Sequence, residues 1–183
     1  SHPVAKEHGP VGPFPEGVDP EGYDRARRRI LWSMPTGLFV LGSVHDGRRN
    51  LMTLNWAVQV ATAPKIVAVS VEAEAVTHAL VREGGVFSLS ILSRADRAIV
   101  RKFVKPLDDD GEPSQLAGFD VVTATTGAPI LAQAAAWLDC EVRNALDLGS
   151  HTLFTGEVVN CGGEVGDDTE ILRMEDTRMS YGG

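Results

Sequence analysis

The residues best suited to chemistry lie on one short stretch, residues 50–70, NLMTLNWAVQVATAPKIVAVS. Its second half, residues 66–71, is almost wholly apolar, as buried strands are. Hydroxyl and amide groups on a strand edge, backed by an apolar strand, form a wall suited to a flat polar ligand. The same pattern is typical of an ordinary edge strand over a core, and the stretch alone leaves both interpretations open. Its polar side chains are Thr53, Asn55, Gln59 and Thr62.

A run of arginines offers a second kind of chemistry, because guanidinium groups bind phosphate. Asp24 precedes the run at a helix-capping position, so residues 24–33 are predicted to form a short helix. A run of this kind is also typical of a solvated helix face. The arginines are Arg25, Arg27, Arg28 and Arg29.

The cysteines and histidines predict neither a metal site nor a disulfide framework. Cys140 and Cys161 are the only two cysteines, and the five histidines include no pair at i, i+4. We therefore expect both thiols to be reduced and structural. There is also no Gly-x-Gly-x-x-Gly after a strand, no Walker loop and no Gly-x-Ser-x-Gly elbow.

The elements that must position these residues are mostly short strands joined by short turns. Two short helices are predicted at residues 75–82 and 94–104, and the acidic loop 105–118 is expected to be mobile. This pattern predicts a mainly β fold, an antiparallel β-barrel with short helices. The predicted strands cover residues 38–44, 50–60, 66–71, 86–92, 119–125, 130–133, 137–143 and 151–160, with a further short strand at 171–174.

Alternation of side chains on residues 137–143 predicts which of them enter the core. Leu138, Cys140 and Val142 are expected to point inward, and Asp139, Glu141 and Arg143 outward.

The amino-acid composition limits the classes of protein to which this chain can belong. The 183 residues, 43% hydrophobic and 23% charged, suit a single globular domain. A net charge of -8 without a basic stripe argues against nucleic acid and anionic membranes as partners. No run approaches the roughly 18 apolar residues of a membrane helix, and no secretory signal opens the chain. We expect a cytoplasmic protein with a flexible N-terminal arm at residues 1–30 and one folded domain at 31–183.

Eight segments follow one another along about residues 31–160: MPTGLFVLGS (34–43), NLMTLNWAVQVATAP (50–64), IVAVSVE (66–72), FSLSILS (87–93), KF (102–103), GAPIL (127–131), LDCEV (138–142) and GSHTLFTGEVV (149–159). No segment is specific alone, but the ordered set is. Taken together, the segments resemble the flavin reductase-like domain family, whose fold is the FMN-binding split barrel. The resemblance implies a homodimer of antiparallel split β-barrels with FMN or FAD bound near the subunit interface.

The resemblance also implies which residues form the site. The family's Gly-Asp-His appears here as Gly149-Ser150-His151, which implies that His151 lies near flavin and nicotinamide as the catalytic side chain. The structural alternative is that His151 only caps a hairpin. Trp56 replaces a residue that is often smaller, so it stacks on the ring system, narrows the substrate space or packs in the core. The implied flavin-binding residues are Thr53, Leu54, Asn55, Trp56, Ala57, Ser70, Val71, Glu72, Thr77, Ser88, Leu89, Ser90, Ile91, Lys102 and Phe103, the last two near the phosphate or a dimer contact.

The implied function is hydride transfer from NAD(P)H to FMN or FAD, with the reduced flavin supplied to a monooxygenase. Such a reaction needs no side-chain nucleophile, because the cofactors carry the chemistry and the protein holds two rings face to face. Two alternatives remain open. One is a non-enzymatic, FMN-holding electron-transfer protein of the flavoredoxin type. The other is a split barrel that holds heme or a deazaflavin.

Overall fold

A computed structural model describes residues 9–183, and the structural statements below refer to those residues. The chain forms two compact units. One combines the N-terminal segment up to Thr36 with Arg173–Gly183, and the other is Gly37–Leu172. Within the described range, no helix has the length and apolar character that a membrane crossing requires.

The first unit is built on helix α1, Pro20–Trp32, which begins four residues before the predicted start. Asp19 caps it by accepting a hydrogen bond from the Gly22 N–H, and Pro20 occupies a first-turn position where no backbone donor is needed. Arg27 and Arg28 both pair with Asp24, at 3.0 and 3.2 Å.

Residues at both ends of the chain bond to α1. Arg27 donates to the carbonyls of Val11 and Pro13, and the Trp32 indole N–H donates to the Gly182 carbonyl at 3.1 Å. The first eight residues of the predicted flexible arm lie outside the described residues, and the flexibility of the arm stays a prediction.

The second unit is built on one antiparallel sheet of seven strands with the order β2-β1-β5-β9-β10-β4-β3. Three short strands, β6, β7 and β8, form a second sheet. The prediction of a mainly β, antiparallel fold is confirmed. In chain order the strands are β1 Phe39–His45, β2 Arg48–Leu54, β3 Ala57–Thr62, β4 Lys65–Glu72, β5 Val86–Ile91, β6 Gln115–Leu116, β7 Phe119–Val122, β8 Ile130–Leu131, β9 Ala136–Asp147 and β10 His151–Gly163.

Two helices complete this unit: α2, Val76–Gly84, and a 3₁₀ helix, Arg94–Phe103. Gly85 ends α2 in the left-handed region, at φ 69°, as glycine commonly does after a helix. The predicted strand at residues 171–174 is wrong: Ile171 makes one bridge to Ser93, and Met174–Asp176 is a 3₁₀ helix.

The predicted strand at residues 50–60 is in fact two strands, and the break between them shapes the sheet. β2 ends at Leu54 and β3 begins at Ala57, yet β2 and β3 are the two opposite edges of the sheet. Three Cα–Cα steps span at most about 11 Å. The sheet must therefore curl until the end of one edge meets the start of the other, although no hydrogen-bonded ladder joins the two edges in the part of the chain described.

The apolar core lies along the inward face of this sheet. Cys140 belongs to it, and burial raises the pKa of its thiol to about 12, so the thiol stays protonated. The largest fully buried side chains of the core are Leu41, Phe87 and Phe154.

Asp139 corrects the predicted alternation on β9, because its carboxylate is fully buried instead of pointing to solvent. It accepts hydrogen bonds from the backbone N–H groups of Thr125 and Thr126, both at 2.8 Å, and from the Thr126 hydroxyl. The outer face of β9 is thus covered by the turn that precedes β8. A buried carboxylate needs such donors.

The acidic loop 105–118 is bonded to β2, which the prediction of a mobile loop did not foresee. Arg49 makes a two-pronged ion pair with Asp109, at 2.8 and 2.6 Å, and also donates to three loop carbonyls. Asn50 accepts from the Leu107 N–H. Hydrogen bonding by Arg49 lowers the pKa of Asp109 below its ordinary value.

Candidate functional site

The site is organised around the two residues that link the edge strands, Asn55 and Trp56, which we call the crossing. The crossing is tied to β4 because the Ser70 N–H donates to the Trp56 carbonyl at 3.0 Å. The Asn55 carbonyl accepts from the Ala57 N–H at 3.1 Å, which tightens the turn into β3.

His151 lies beside the crossing because β10 begins next to the end of β4, where His151 pairs with Glu72. The imidazole and the Trp56 indole are in ring contact, with centroids 5.1 Å apart and planes at 56°. The Ser150 hydroxyl is 2.8 Å from His151 Nδ1. A hydroxyl can donate or accept, so this contact suits either tautomer of the imidazole.

The side-chain amide of Asn55 is available to a ligand. The residue is only 8% exposed, and its side-chain amide makes no hydrogen bond within the described residues. An amide carries two donors and an acceptor, and those of Asn55 are not among the buried side-chain atoms without a partner, so a ligand or water can bond to them. The next residue in the chain, Trp56, is 37% exposed and presents an open aromatic surface.

The structure therefore brings six of the predicted residues to one end of the curled sheet. Ser70 is half-buried on β4, two residues before Glu72 and opposite Leu153. The six residues are Asn55, Trp56, Ala57, Ser70, Glu72 and His151, and we call this group the crossing site.

Four other predicted residues have buried hydroxyls that are already bonded within the protein. Ser88 donates to the Pro129 carbonyl at 2.6 Å, and Ser90 accepts from the Leu131 N–H at 3.1 Å. Both bonds hold residues 129–131, which we call the β8 segment, against β5. The other two join neighbouring elements in the same way: Thr53 donates to the Val100 carbonyl at 2.6 Å, and Thr77 accepts from the Asn50 amide at 3.1 Å.

The remaining predicted residues are mostly apolar. Leu54, Val71 and Leu89 belong to the core cluster. Phe103 is fully buried and stacks edge-on against Phe119, with ring centroids 4.8 Å apart. Lys102 precedes it as an exposed side chain, and Ile91 is half-buried at the end of β5. Direct contact of these residues with a ligand stays a prediction.

An apolar cavity of about 370 Å³ begins at the crossing site and shares Ala57 with it. Most of its lining was not predictable from the sequence, because alternation identifies inward-facing residues but does not separate those packed against protein from those lining a space. Polar side chains are few among the lining residues. The missed apolar residues are Phe39, Val58, Ile66, Val67, Leu138 and Val158, and the polar ones are Gln59, Lys65 and Cys161.

The crossing site offers contacts for a ring ligand and holds no cluster of metal-binding groups. Nowhere in residues 9–183 do three His, Cys, Asp or Glu side chains converge as ligands of a metal ion would. The arrangement instead provides an indole and an imidazole in ring contact, 5.1 Å between centroids, with the Asn55 amide on the residue before the indole. Such groups bind the edge and face of a polar ring system.

Comparison with known proteins gives consistent matches over this region. The family model described as flavin reductase like domain matches residues 31–182. An NADH-dependent FAD reductase of Streptomyces globisporus is 32% identical over 154 residues, which cover 81% of this chain and 81% of that protein.

Two solved structures extend the match to the fold. The NADH:FAD oxidoreductase of Streptomyces globisporus C-1027, in complex with NAD and FAD fragments, has a TM-score of 0.73 at 26% identity and covers 92% of this chain and 98% of its own. The styrene monooxygenase flavin reductase from Pseudomonas putida S12 has a TM-score of 0.62 at 29% identity, with coverages of 75% and 86%. The range matched by the family model contains every residue of the predicted site.

Proposed function

The chain belongs to the flavin reductase-like domain family, and we propose from that premise that it is an NAD(P)H:flavin oxidoreductase working at the crossing site. It transfers a hydride from NAD(P)H to FMN or FAD. The observation that carries this assignment is the Trp56–His151 ring contact, one residue along the chain from Asn55, whose amide has no hydrogen bond within the described residues. Relatives named as an NADH-dependent FAD reductase and an NADH:FAD oxidoreductase support the reaction class.

The residues of the crossing site fit a flavin. The Asn55 amide supplies donor and acceptor groups to the polar edge of the ring, and the Trp56 indole supplies an apolar surface beside it. The Ser70 hydroxyl, half-buried on the neighbouring strand, adds a further polar contact. The flavin, when bound, supplies the capacity to accept two electrons and a proton as hydride.

His151 orients the hydride donor in this proposal. Its imidazole stands at the rim of the site and is held from one side by Ser150 and from the other by Trp56. In this role the imidazole offers a ring nitrogen as a hydrogen-bonding group to the donor. Fixing the donor close to the acceptor removes much of the entropic barrier to the transfer.

The other predicted residues act mainly by shaping the site. Thr53, Thr77, Ser88 and Ser90 fix the elements that surround it, since their buried hydroxyls bond to neighbouring segments. Lys102 is the predicted cation for a flavin phosphate and is exposed enough to reach one.

We extend the proposal to the fold and the assembly. The curl imposed by the crossing suits a split barrel. Val58 and Val60, on the edge strand β3, are 63% and 53% exposed, beside the apolar cavity. An exposed apolar edge strand is a surface for another chain. We propose that a second copy covers it, which makes a homodimer with the flavin near the interface.

The homodimer has its own test. Val58→Glu should shift the protein from dimer to monomer in light scattering, because a carboxylate would be buried unpaired at the interface. Val122→Glu is the matched control, since Val122 is also an exposed strand residue, at 48%, but lies on β7. A dimer that survives Val58→Glu would contradict this arrangement.

The reduced flavin is used by a separate protein in this proposal. The styrene monooxygenase flavin reductase shares this fold, and a monooxygenase component in the cytoplasm is the partner that we propose for this chain. Reduced flavin that leaves the site would then react with oxygen on the partner and not in solution.

A second candidate function is a flavin-holding electron-transfer protein without NAD(P)H turnover. Ser150 favours it, because a hydroxyl gives His151 less electrostatic support than a carboxylate would.

One experiment tests the proposed function and separates the two candidates. Purified protein is mixed with FMN or FAD, and then with NADH or NADPH, while flavin absorbance and nucleotide oxidation are followed. Flavin-dependent oxidation of either nucleotide is the expected result. Tight flavin binding without oxidation would support the carrier, and an absorbance spectrum typical of heme or a deazaflavin would overturn both.

A further inference from the structure

We propose that His78, on α2, is a positioning residue for His151. Its imidazole N–H holds Thr152, and through Thr152 it fixes the turn that presents His151 to the crossing site. This inference rests on the proposed function for the role of His151. Sequence analysis did not single out His78, because a lone histidine on a short helix carries no signal of its own.

The contact is short and partly buried. His78 Nε2 lies 2.7 Å from the Thr152 hydroxyl oxygen, and Thr152 is only 2% exposed. The hydroxyl in turn donates to Asp147 Oδ1 at 2.9 Å. Arg82, one turn after His78 on α2, donates to the same carboxylate oxygen at 2.7 Å and to the hydroxyl oxygen at 3.3 Å.

Counting protons fixes the tautomer of His78. The Asp147 carboxylate can only accept and the Arg82 guanidinium can only donate. The single proton of the Thr152 hydroxyl goes to Asp147. The hydroxyl oxygen must therefore accept from His78, so the imidazole carries its proton on Nε2. The chain of donors runs from His78 through Thr152 to Asp147.

The surroundings keep His78 in this form. Its ring packs on Phe154, with centroids 5.4 Å apart, and the Arg82 guanidinium lies 5.7 Å from the centre of the same phenyl ring. Burial, then the charge of Arg82, lowers the pKa of His78 below its ordinary value, and Asp147 opposes this weakly. A neutral imidazole with its proton on Nε2 is a fixed donor.

The bonded residues flank the turn that carries His151. Asp147 is the last residue of β9, and Thr152 is the second residue of β10. Successive strand residues point to opposite faces, so the anchored Thr152 side chain sets the direction of the His151 side chain on the other face. Within the turn, the Leu148 N–H donates to the His151 carbonyl at 2.8 Å, and the Ser150 carbonyl accepts from Ala73 at 2.9 Å.

Among the anchors of this turn, the His78 bond is the one that we expect to matter most. The Arg82–Asp147 ion pair has side chains that are 45% and 76% exposed, and exposed pairs contribute little because water competes for both charges. Arg82 also donates to the Thr152 hydroxyl, but at 3.3 Å against 2.7 Å for His78. Thr152 is buried, so water does not easily replace His78 as its shorter donor.

The test compares His78→Phe with His78→Gln. Phenylalanine keeps the ring packing on Phe154 but removes the donor, whereas the glutamine Nε2 can still donate to Thr152. We expect His78→Phe to lower kcat roughly tenfold and to change flavin affinity less than about twofold, because a misplaced catalytic group costs rate more than binding. His78→Gln should restore most of the rate. His45→Gln, a histidine paired with Glu83 at 3.5 Å on the surface, is the matched control and should change neither quantity.

A readout without turnover separates this inference from the proposed function. The imidazole resonances of His151 should shift in His78→Phe and return in His78→Gln, even if the protein oxidises no NAD(P)H. If His78→Phe does not fold, Thr152→Val tests the same bond from the other side. Unchanged His151 resonances in a folded variant would overturn the inference, and so would an equal loss of rate in His78→Phe and His78→Gln.

Discussion

Two regions of the second unit carry the same kinds of polar side chain and use them differently. On β5, the hydroxyls of Ser88 and Ser90 are fully buried and bonded to the backbone of the β8 segment. At the crossing site, the Asn55 amide has no protein partner within the described chain, and Trp56 lies open beside it. We call the first region the bonded face.

The difference shows what decides whether a polar strand residue can serve a ligand. Both regions alternate small polar and apolar residues, so pattern alone treats them alike. A neighbouring segment with unmet backbone groups covers the bonded face, and each hydroxyl there replaces water for one of those groups. Within residues 9–183, no segment is hydrogen-bonded to the Asn55 amide, so this amide can serve a ligand as the hydroxyls of the bonded face cannot.

The largest effect should come from breaking the bonded face at Gly42, on β1. A β-carbon at Gly42 would collide with the Pro129 carbonyl oxygen and the Ser88 hydroxyl. Gly42→Ala should therefore lower the free energy of unfolding by about 3 kcal/mol, because backbone is forced apart in a packed interior. Urea unfolding measures it.

The matched control is Gly166→Ala, where the nearest neighbour of an added β-carbon is the Thr169 hydroxyl oxygen at 3.9 Å. That change should leave stability within about 0.5 kcal/mol of wild type. Equal stability of both variants would mean that the β8 segment is not held against β1 and β5 as described.

The next largest effect is expected at Ser88, which we compare with Ser70 of the crossing site. Ser88→Ala leaves the Pro129 carbonyl without its donor in a buried setting, so the free energy of unfolding should fall by about 1–2 kcal/mol. Flavin affinity of the folded variant should stay unchanged. Ser70→Ala is the partner variant, and it should show the reverse: unchanged stability and weaker flavin binding. A loss of flavin affinity in Ser88→Ala but not in Ser70→Ala would mean that the bonded face, and not Ser70, contacts the flavin.

Two variants at the crossing site should affect flavin affinity and the rate of hydride transfer to different extents. Asn55→Ala should weaken flavin binding roughly tenfold without unfolding the protein, which corresponds to about 1.4 kcal/mol for lost hydrogen bonds. His151→Ala should lower hydride transfer more than flavin affinity, because we propose that His151 orients the hydride donor and not the flavin. Fluorescence titration and single-turnover reduction measure the two quantities. Loss of both in equal measure in His151→Ala would mean that this residue only supports the structure.

The smallest effect concerns pH. The pKa of His78 is lower in the folded protein than its ordinary value of 6.5, so the unfolded chain takes up this proton first as pH falls. The contribution of neutral His78 to the free energy of unfolding is complete above pH 6.5. It declines as the pH drops from there toward the pKa of His78 in the folded protein. Melting temperatures between about pH 7.5 and pH 5 should therefore fall less steeply in His78→Gln than in wild type. Identical slopes would contradict the lowered pKa.

Much of the fold was predictable from the sequence because alternation and turn residues are local signals. β1, β4, β5 and β10 lie within one to three residues of their predicted bounds. The break at Asn55–Trp56 was not predicted, since strand-forming residues continue through it. Only the sheet order shows that those two residues link opposite edges.

The site was predictable only in part, because the sequence patterns are local signals. The stretch around Asn55 and the Gly149-Ser150-His151 segment were identified from the sequence, but their meeting in space depends on β10 pairing with β4. Burial of Asp139 and the bond from His78 to Thr152 depend on segments distant in the chain. Local patterns hold no information about such partners.

The most direct test of the central claim uses Trp56 as a reporter. In a Trp32→Phe, Trp137→Phe background, Trp56 is the only tryptophan left, and its emission is followed while FMN or FAD is added. A flavin ring at the crossing site should quench this emission with the same dissociation constant that flavin absorbance gives. Flavin binding that leaves the Trp56 emission unchanged would contradict the account.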